Sequence, residues 1–311
     1  MLTMKAKTPE DILAAVPVVL GFHPRDSVVM LTFGGAHAFH ARIDMPPPAP
    51  PPAVVEGLAS ALLTPVFRER AEAVVLVLYS ADAALAEEVF EHLAARCGEG
   101  GVRVLEGLRV HGDRWFPIAS PAAGPPDGVP FDLGSHRFTA ASVLEGLVTA
   151  ESREQIAARV AADPPGVEAV AEALPASGLM TGPRLRDLLE AHAAAGTVPD
   201  DDQAASILRS IAGPSVRDHA WWAVGRRSAE AHAALWTDLV RRAPAPLLGH
   251  AAGVLAMVAW QAGQGTLAWC AVDRGREVAP AHSLLRLASD ILGAGTPPFD
   301  DWPADALPLT G

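Results

Sequence analysis

The chain has 311 residues, half of them hydrophobic and only 19% charged, which excludes global disorder and implies burial of roughly three quarters of the unfolded surface. Its 36 acidic residues outnumber 24 basic ones, and a formal net charge of −12 argues against nucleic acid or a membrane surface as partner, since both are themselves anionic. Two cysteines far apart in sequence, Cys97 and Cys270, exclude a disulfide framework and point to the cytoplasm.

From the amino terminus, Thr8, Pro9 and Asp11 have the pattern of an N-cap, a first-turn proline and a capping-box acid, opening a short helix that Pro17 is expected to close. Glu10 and Asp11 abut the apolar run that follows and Pro17 interrupts it, so the run does not read as a secretory signal. After the polar stretch "GFHPRDS", "SVVMLTF" reads as a strand, Gly34 and Gly35 make a turn, and "HAFHARID" returns with period two. Phe39, Ala41 and Ile43 then share one face of a β-hairpin arm, and His40, Arg42 and Asp44 share the other. The prolines of "MPPPAPPPAVV" form a stiff extended connector. A helix over 54–67, a buried strand in "AEAVVLVLYS" and an amphipathic helix in "AALAEEVFEHLAARCGEGG" come next. "VRVLEGLRVHGDRWFPI" supplies a further strand, or a hairpin turning at Gly112 and Asp113. Alternating strands and helices predict a layered α/β domain, with α+β as the alternative class, over residues 1–134.

Beyond Ser135 no strand pattern remains, and residues 135–311 read as an all-α, repeat-like domain of short helices with glycine stops at Gly196, Gly213 and Gly225. Ser215 and Asp218 repeat the capping-box spacing, and "DDD" at Asp200 to Asp202 reads as helix initiation by acids favoured at the positive end of the helix dipole. The longest apolar run, "LLGHAAGVLAMVAW", makes a helix of roughly 21 Å at about 1.5 Å per residue, short of the roughly 30 Å of a bilayer core, so it is a buried helix. In "GQGTLAWCAVDRGREVAP", Gly263, Ala268, Val272, Gly275 and Pro280 have the spacing of the second helix of a tetratricopeptide unit. Pro246 and Ala234 precede Pro280 and Ala268 by 34 residues each, the length of that repeat, which predicts a tetratricopeptide-like hairpin near 247–292.

Taken in order, "DILAAVPVVLGFHPRDSVVML", "LRVHGDRW" with its proline-rich tail, and "WQAGQGTLAWCAVDRGREVAP" resemble an actinobacterial family catalogued as domain of unknown function 4192. The resemblance covers most of the chain and agrees with its high-GC bias: Lys5 and Lys7 are the only lysines and asparagine is absent. It implies an intracellular protein with no assigned reaction. Relatives are similar in carrying a small cysteine cluster after the "RW" element, where this chain has "WFPIASPAAGPPDG", so no metal ligand is carried over.

"GFHPRDS" admits two readings. As a site, Gly21 lets the backbone approach a ligand, while His23, Arg25, Asp26 and Ser27 offer an acid/base group, an anion clamp and acceptors. As a turn, Pro24 holds the bend and Asp26 or Ser27 bonds nearby backbone. His40, Arg42 and Asp44 form a secondary candidate set on one strand face, an ion-pair group or a solvated surface. His111, Asp113, Arg114 and Trp115 read as a hairpin tip. The familiar local catalytic signatures GxSxG, GxxxxGK, HExxH and CxxC do not occur, and no cofactor is implied. The leading expectation is a non-enzymatic interaction or adaptor module that holds a protein partner through its helical domain. The rival is an enzyme or small-molecule binder with an anion pocket at Gly21 to Ser27.

Overall fold

Runs of β-branched and apolar residues too continuous for a half-exposed strand predict strands covered on both faces, and two of them are neighbouring interior strands of a six-stranded mixed sheet. The structure is a computed structural model in which residues 6–35, 39–118, 124–144, 149–222 and 224–299 are described. The chain divides into two units, Met1–Arg153 and Glu154–Gly311.

The strands of the first unit are β1 (Ser27–Phe33), β2 (His40–Asp44), β3 (Ala73–Tyr79), β4 (Arg103–His111), β5 (Arg114–Pro117) and β6 (Val129–Pro130), in the order β2-β1-β3-β4-β5-β6. Only β3 and β4 are parallel, and α3 (Ala83–Glu99) makes the crossover between them. With α2 (Pro52–Arg68) it covers one face of the sheet, where Val28, Met30, Leu76 and Leu78 meet Leu62, Leu63, Val89 and Leu93. On the other face Val29, Leu31, Val75, Val77, Leu108 and Val110 pack on Leu13 and Val16 of α1 (Pro9–Leu20). The period-two alternation of β1 and β3 thus serves two apolar layers at once. The β1–β2 and β4–β5 hairpins form where expected, although residues 36–38 of the first lie outside the described residues.

Pro17 does not close α1. The helix runs one further turn to Leu20 and ends at Gly21, whose left-handed φ of 78° lets its N–H reach the Pro17 carbonyl at 2.8 Å. At the other end the Thr8 hydroxyl accepts the Asp11 N–H (3.2 Å), as the capping pattern requires. Asp11 does more than cap: its carboxylate accepts the Lys7 N–H at 2.8 Å and pairs with Arg137 and His136, which open α4 (Arg137–Leu144). The Lys7 amide and the Arg137 guanidinium hold the Asp11 carboxyl below the usual carboxylate range.

The α-helices that follow are α5 (Arg153–Ala158), α6 (Pro164–Ala173), α7 (Gly182–Ala195), α8 (Asp201–Ser210), α9 (Pro214–Asp218), α10 (Ala229–Arg242), α11 (Ala245–Gln261), α12 (Gly265–Arg276) and α13 (Ser283–Gly293), with no strand among the described residues of the second unit. α11 is the buried helix expected from its composition, and no helix among the described residues is long and apolar enough to cross a membrane. A Cβ at Gly275 of α12 would lie 2.8 Å from Ala252 of α11 and from Leu285 of α13, so only glycine fits where the three helices meet. Asp200 caps α8 in a reciprocal capping box with Gln203. Ser215 caps nothing: Gly213, read as a helix stop, is the N-cap of a five-residue α9 with Pro214 at its first position, a proline start overriding the serine. Arg242 ties α10 to the entry of α8, donating to the Pro199 carbonyl (2.8 Å), Asp201 (3.1 Å) and Asp238.

Candidate functional site

In the "GFHPRDS" corner the backbone is committed to the fold. Gly21 O accepts the Ala150 N–H (2.8 Å), His23 N–H donates to Ala150 O (3.1 Å), and Phe22 between them is buried. Asp26 takes a left-handed φ of 41°, and its carbonyl accepts the Met45 N–H. Pro24 is buried, whereas the side chains of His23, Arg25 and Asp26 are exposed. Ser27 begins β1 fully buried, its hydroxyl without a partner.

Two members of the secondary set, Arg42 and Asp44, lie beside this corner, whereas His40 pairs with Leu31 farther along β1. Ser27 pairs across the sheet with Asp44 on one side and Tyr79 on the other. Arg42 bonds Asp44 at 2.5 Å and donates to the Arg25 carbonyl at 3.3 Å, while His40 stays exposed. Arg42 and Asp44 therefore meet the corner at the carboxyl end of β3, the end at which open α/β sheets hold ligands, and His40 does not. Burial raises the Tyr79 hydroxyl's pKa there, and Arg109 at the end of β4 spends itself locally, on the Ser80 carbonyl (3.2 Å) and the Phe116 ring (3.9 Å). At the β4–β5 tip, Arg114 donates to Asp127 and Gly128 carbonyls and the Trp115 indole N–H to Glu10.

A cavity of about 420 Å³ lies in the second unit. α7 contributes Arg186, Leu189, Glu190, Ala193 and Ala194, spaced three and four apart and so on one helix face. Ala220 and Val224 after α9 add apolar wall beside His219, and Arg227, Ser228, Ala231 and His232 complete it at the start of α10. His232 is only 4% exposed; burial lowers its pKa, which keeps the ring neutral near pH 7, and its Nδ1 has no partner. Arg186 lies 3.9 Å from Asp187 and 4.0 Å from Glu190, whereas Arg227 is in no ion pair among the described residues. The arrangement suits a ligand with an apolar body and polar groups directed at cations and imidazoles.

A second polar cluster in this unit centres on two histidines, and the buried His282 Nδ1 has no partner. His282 Nε2 and His250 Nδ1 are 3.0 Å apart with their rings edge to face, and buried Arg217 lies close enough to oppose protonation of both. Burial, His250 and Arg217 together push His282 down to about 4. Asp218 neutralises Arg217 (3.1 Å) and accepts the Trp221 indole N–H (3.3 Å). Among the described residues no group of three or more His, Cys, Asp or Glu side chains is placed to hold a metal ion.

None of the cavity residues belongs to the sets read from the sequence. His232 sits in "AEAHAALW" as one polar position in a helical pattern, and Arg186 and Arg227 look like surface charge. The one available signal was the periodic face of α7, in which Arg186 and Glu190 share the stripe of Leu189.

A family model described as "Domain of unknown function (DUF4192)" matches residues 9–299. No curated protein and no solved structure matches the chain.

Proposed function

We propose a function for a chain that belongs to the DUF4192 family: it binds a small organic molecule in the cavity of its helical unit. The observation that carries this reading is the cavity of about 420 Å³, large enough for a metabolite, with apolar walls and a few convergent polar groups. The corner at Gly21 to Ser27 serves as a structural turn, since its backbone bonds hold Ala150 and Met45 and its charged side chains point to solvent. The protein works in the cytoplasm of an actinobacterium; two buried cysteines, Cys97 and Cys270, suit a reducing compartment. A thermal-shift screen against nucleotides, phosphorylated metabolites, acyl carriers and divalent metals tests the assignment. Ala231 is exposed at the cavity rim, so Ala231→Trp fills the space without disturbing the core. The stabilising compound should lose its effect in that variant. Stabilisation that survives the tryptophan, or a flat screen, refutes the reading.

A second reading, a protein-binding helical array, is supported by one observation. Shifting α10 by 34 residues lays it on α12, and the same shift lays α11 on α13, so the sequence period coincides with a repeated helix pair. Trp236 is fully buried and unavailable to a partner, whereas Val278 and Leu287 are exposed. Under this reading Val278→Asp with Leu287→Asp removes a partner captured by the wild type, and unchanged capture refutes it.

A further inference from the structure

The chain is strongly acidic, yet its cavity gathers the side chains of Arg186, Arg227, His219 and His232 against a single carboxylate, Glu190, which lies on the Arg186 side. The same wall contains the first turn of α10, a helix of 14 residues whose N-cap is left open. Ser228 occupies the cap position but makes no capping bond; its hydroxyl donates instead to the Gly225 carbonyl at 3.2 Å. The first-turn amides of α10 thus lack the side-chain acceptor that an N-cap supplies, at the end of the helix where the dipole favours negative charge. An open helix start alone is common. His232 is the independent observation: one turn into α10 its ring forms part of the cavity wall although the residue is only 4% exposed, and Arg227 at the same helix start is in no ion pair among the described residues.

We infer that the cavity binds an organic oxyanion, its phosphate or carboxylate head held at the start of α10 between Arg227, Arg186 and His232 and its apolar body against Leu189, Ala193 and Val224. The inference rests on the small-molecule reading above and adds the charge of the ligand. A guanidinium without an ion pair and a helix start without a side-chain cap call for the same complement, a group rich in acceptor oxygens, and an imidazole N–H in the wall can add one more donor.

Three probes that share a phenyl ring test it by calorimetric titration of the full chain: phenyl phosphate, benzoate and benzyl alcohol. Phenyl phosphate or benzoate should bind at least about tenfold more tightly than benzyl alcohol, and whichever anion binds better identifies the head group. Arg227→Gln should weaken the preferred anion by about tenfold or more, the loss of one charge-assisted hydrogen bond, and leave benzyl alcohol unchanged. Arg186→Gln should act in the same direction, and both variants change exposed or half-buried side chains, so they should fold normally. Benzyl alcohol binding as tightly as the anions would overturn the oxyanion and leave the small-molecule reading standing. Anion binding undiminished in both variants would overturn it too. If none of the three binds, both readings fall.

Discussion

The Gly21–Ser27 corner and the α7–α10 cavity use polar residues differently, although each buries one unpartnered group, the Ser27 hydroxyl and His232 Nδ1. At the corner the side chains that carry chemistry, His23, Arg25 and Asp26, are exposed while the backbone does the bonding, to Ala150 and Met45. At the cavity the side chains of Arg186, Arg227 and His232, from α7, the turn before α10 and α10 itself, line one space. A cluster of polar residues in a loop therefore marks a bend more often than a pocket, whereas one histidine inside an apolar helix pattern costs stability unless something answers it.

That contrast can be broken in several ways. The largest effect is expected at Trp236, fully buried in α10 one turn beyond His232: Trp236→Ala should cost about 3–5 kcal/mol, read from urea unfolding. Arg242→Met should cost about 2 kcal/mol, because it strips donors from the Pro199 carbonyl and from Asp238 and Asp201, whose own partial exposure limits the penalty. A pH titration sharpens the difference between histidines. His232, His250 and His282 have lowered pKa values in the folded chain, so the unfolded chain binds more protons once pH falls below about 6.5. Their contribution to stability is intact above that pH and is lost as pH falls toward about 4, the value for His282. His282→Gln should flatten the decline in a series of melts, and a slope unchanged in the variant would show that the pair does not titrate with folding. The smallest effect is expected at the corner: Arg25→Ala and His23→Ala should change stability by less than about 0.5 kcal/mol, since both side chains are exposed.

The first unit was largely legible because local signals and tertiary packing agree there. β1 runs from Ser27 to Phe33 as its hydrophobic run predicts, and Gly112 with Asp113 turns the second hairpin. The exceptions are places where one residue's preference was overruled. Pro17 sits inside α1 because the chain reaches its true stop at Gly21, and Ser215 yields its capping role to the Gly213–Pro214 start. Asp11 was legible as a capping-box acid, but its bonds to His136 and Arg137 join residues too distant in sequence for any local pattern to connect. The cavity failed to register for the same reason. Its walls come from α7, the segment after α9 and α10, and each contributes residues that look like ordinary helix surface or core when read alone.

The central claim, that the cavity and not the corner holds the ligand, is tested most directly by one set of melts. Wild type, Arg25→Ala and Ala231→Trp are each heated with the compound that stabilises wild type, at about 100 times its dissociation constant. The account predicts a gain of about 2.7 kcal/mol in wild type and in Arg25→Ala, and none in Ala231→Trp. Loss of the gain in Arg25→Ala, with the gain retained in Ala231→Trp, would contradict it and return the site to the corner.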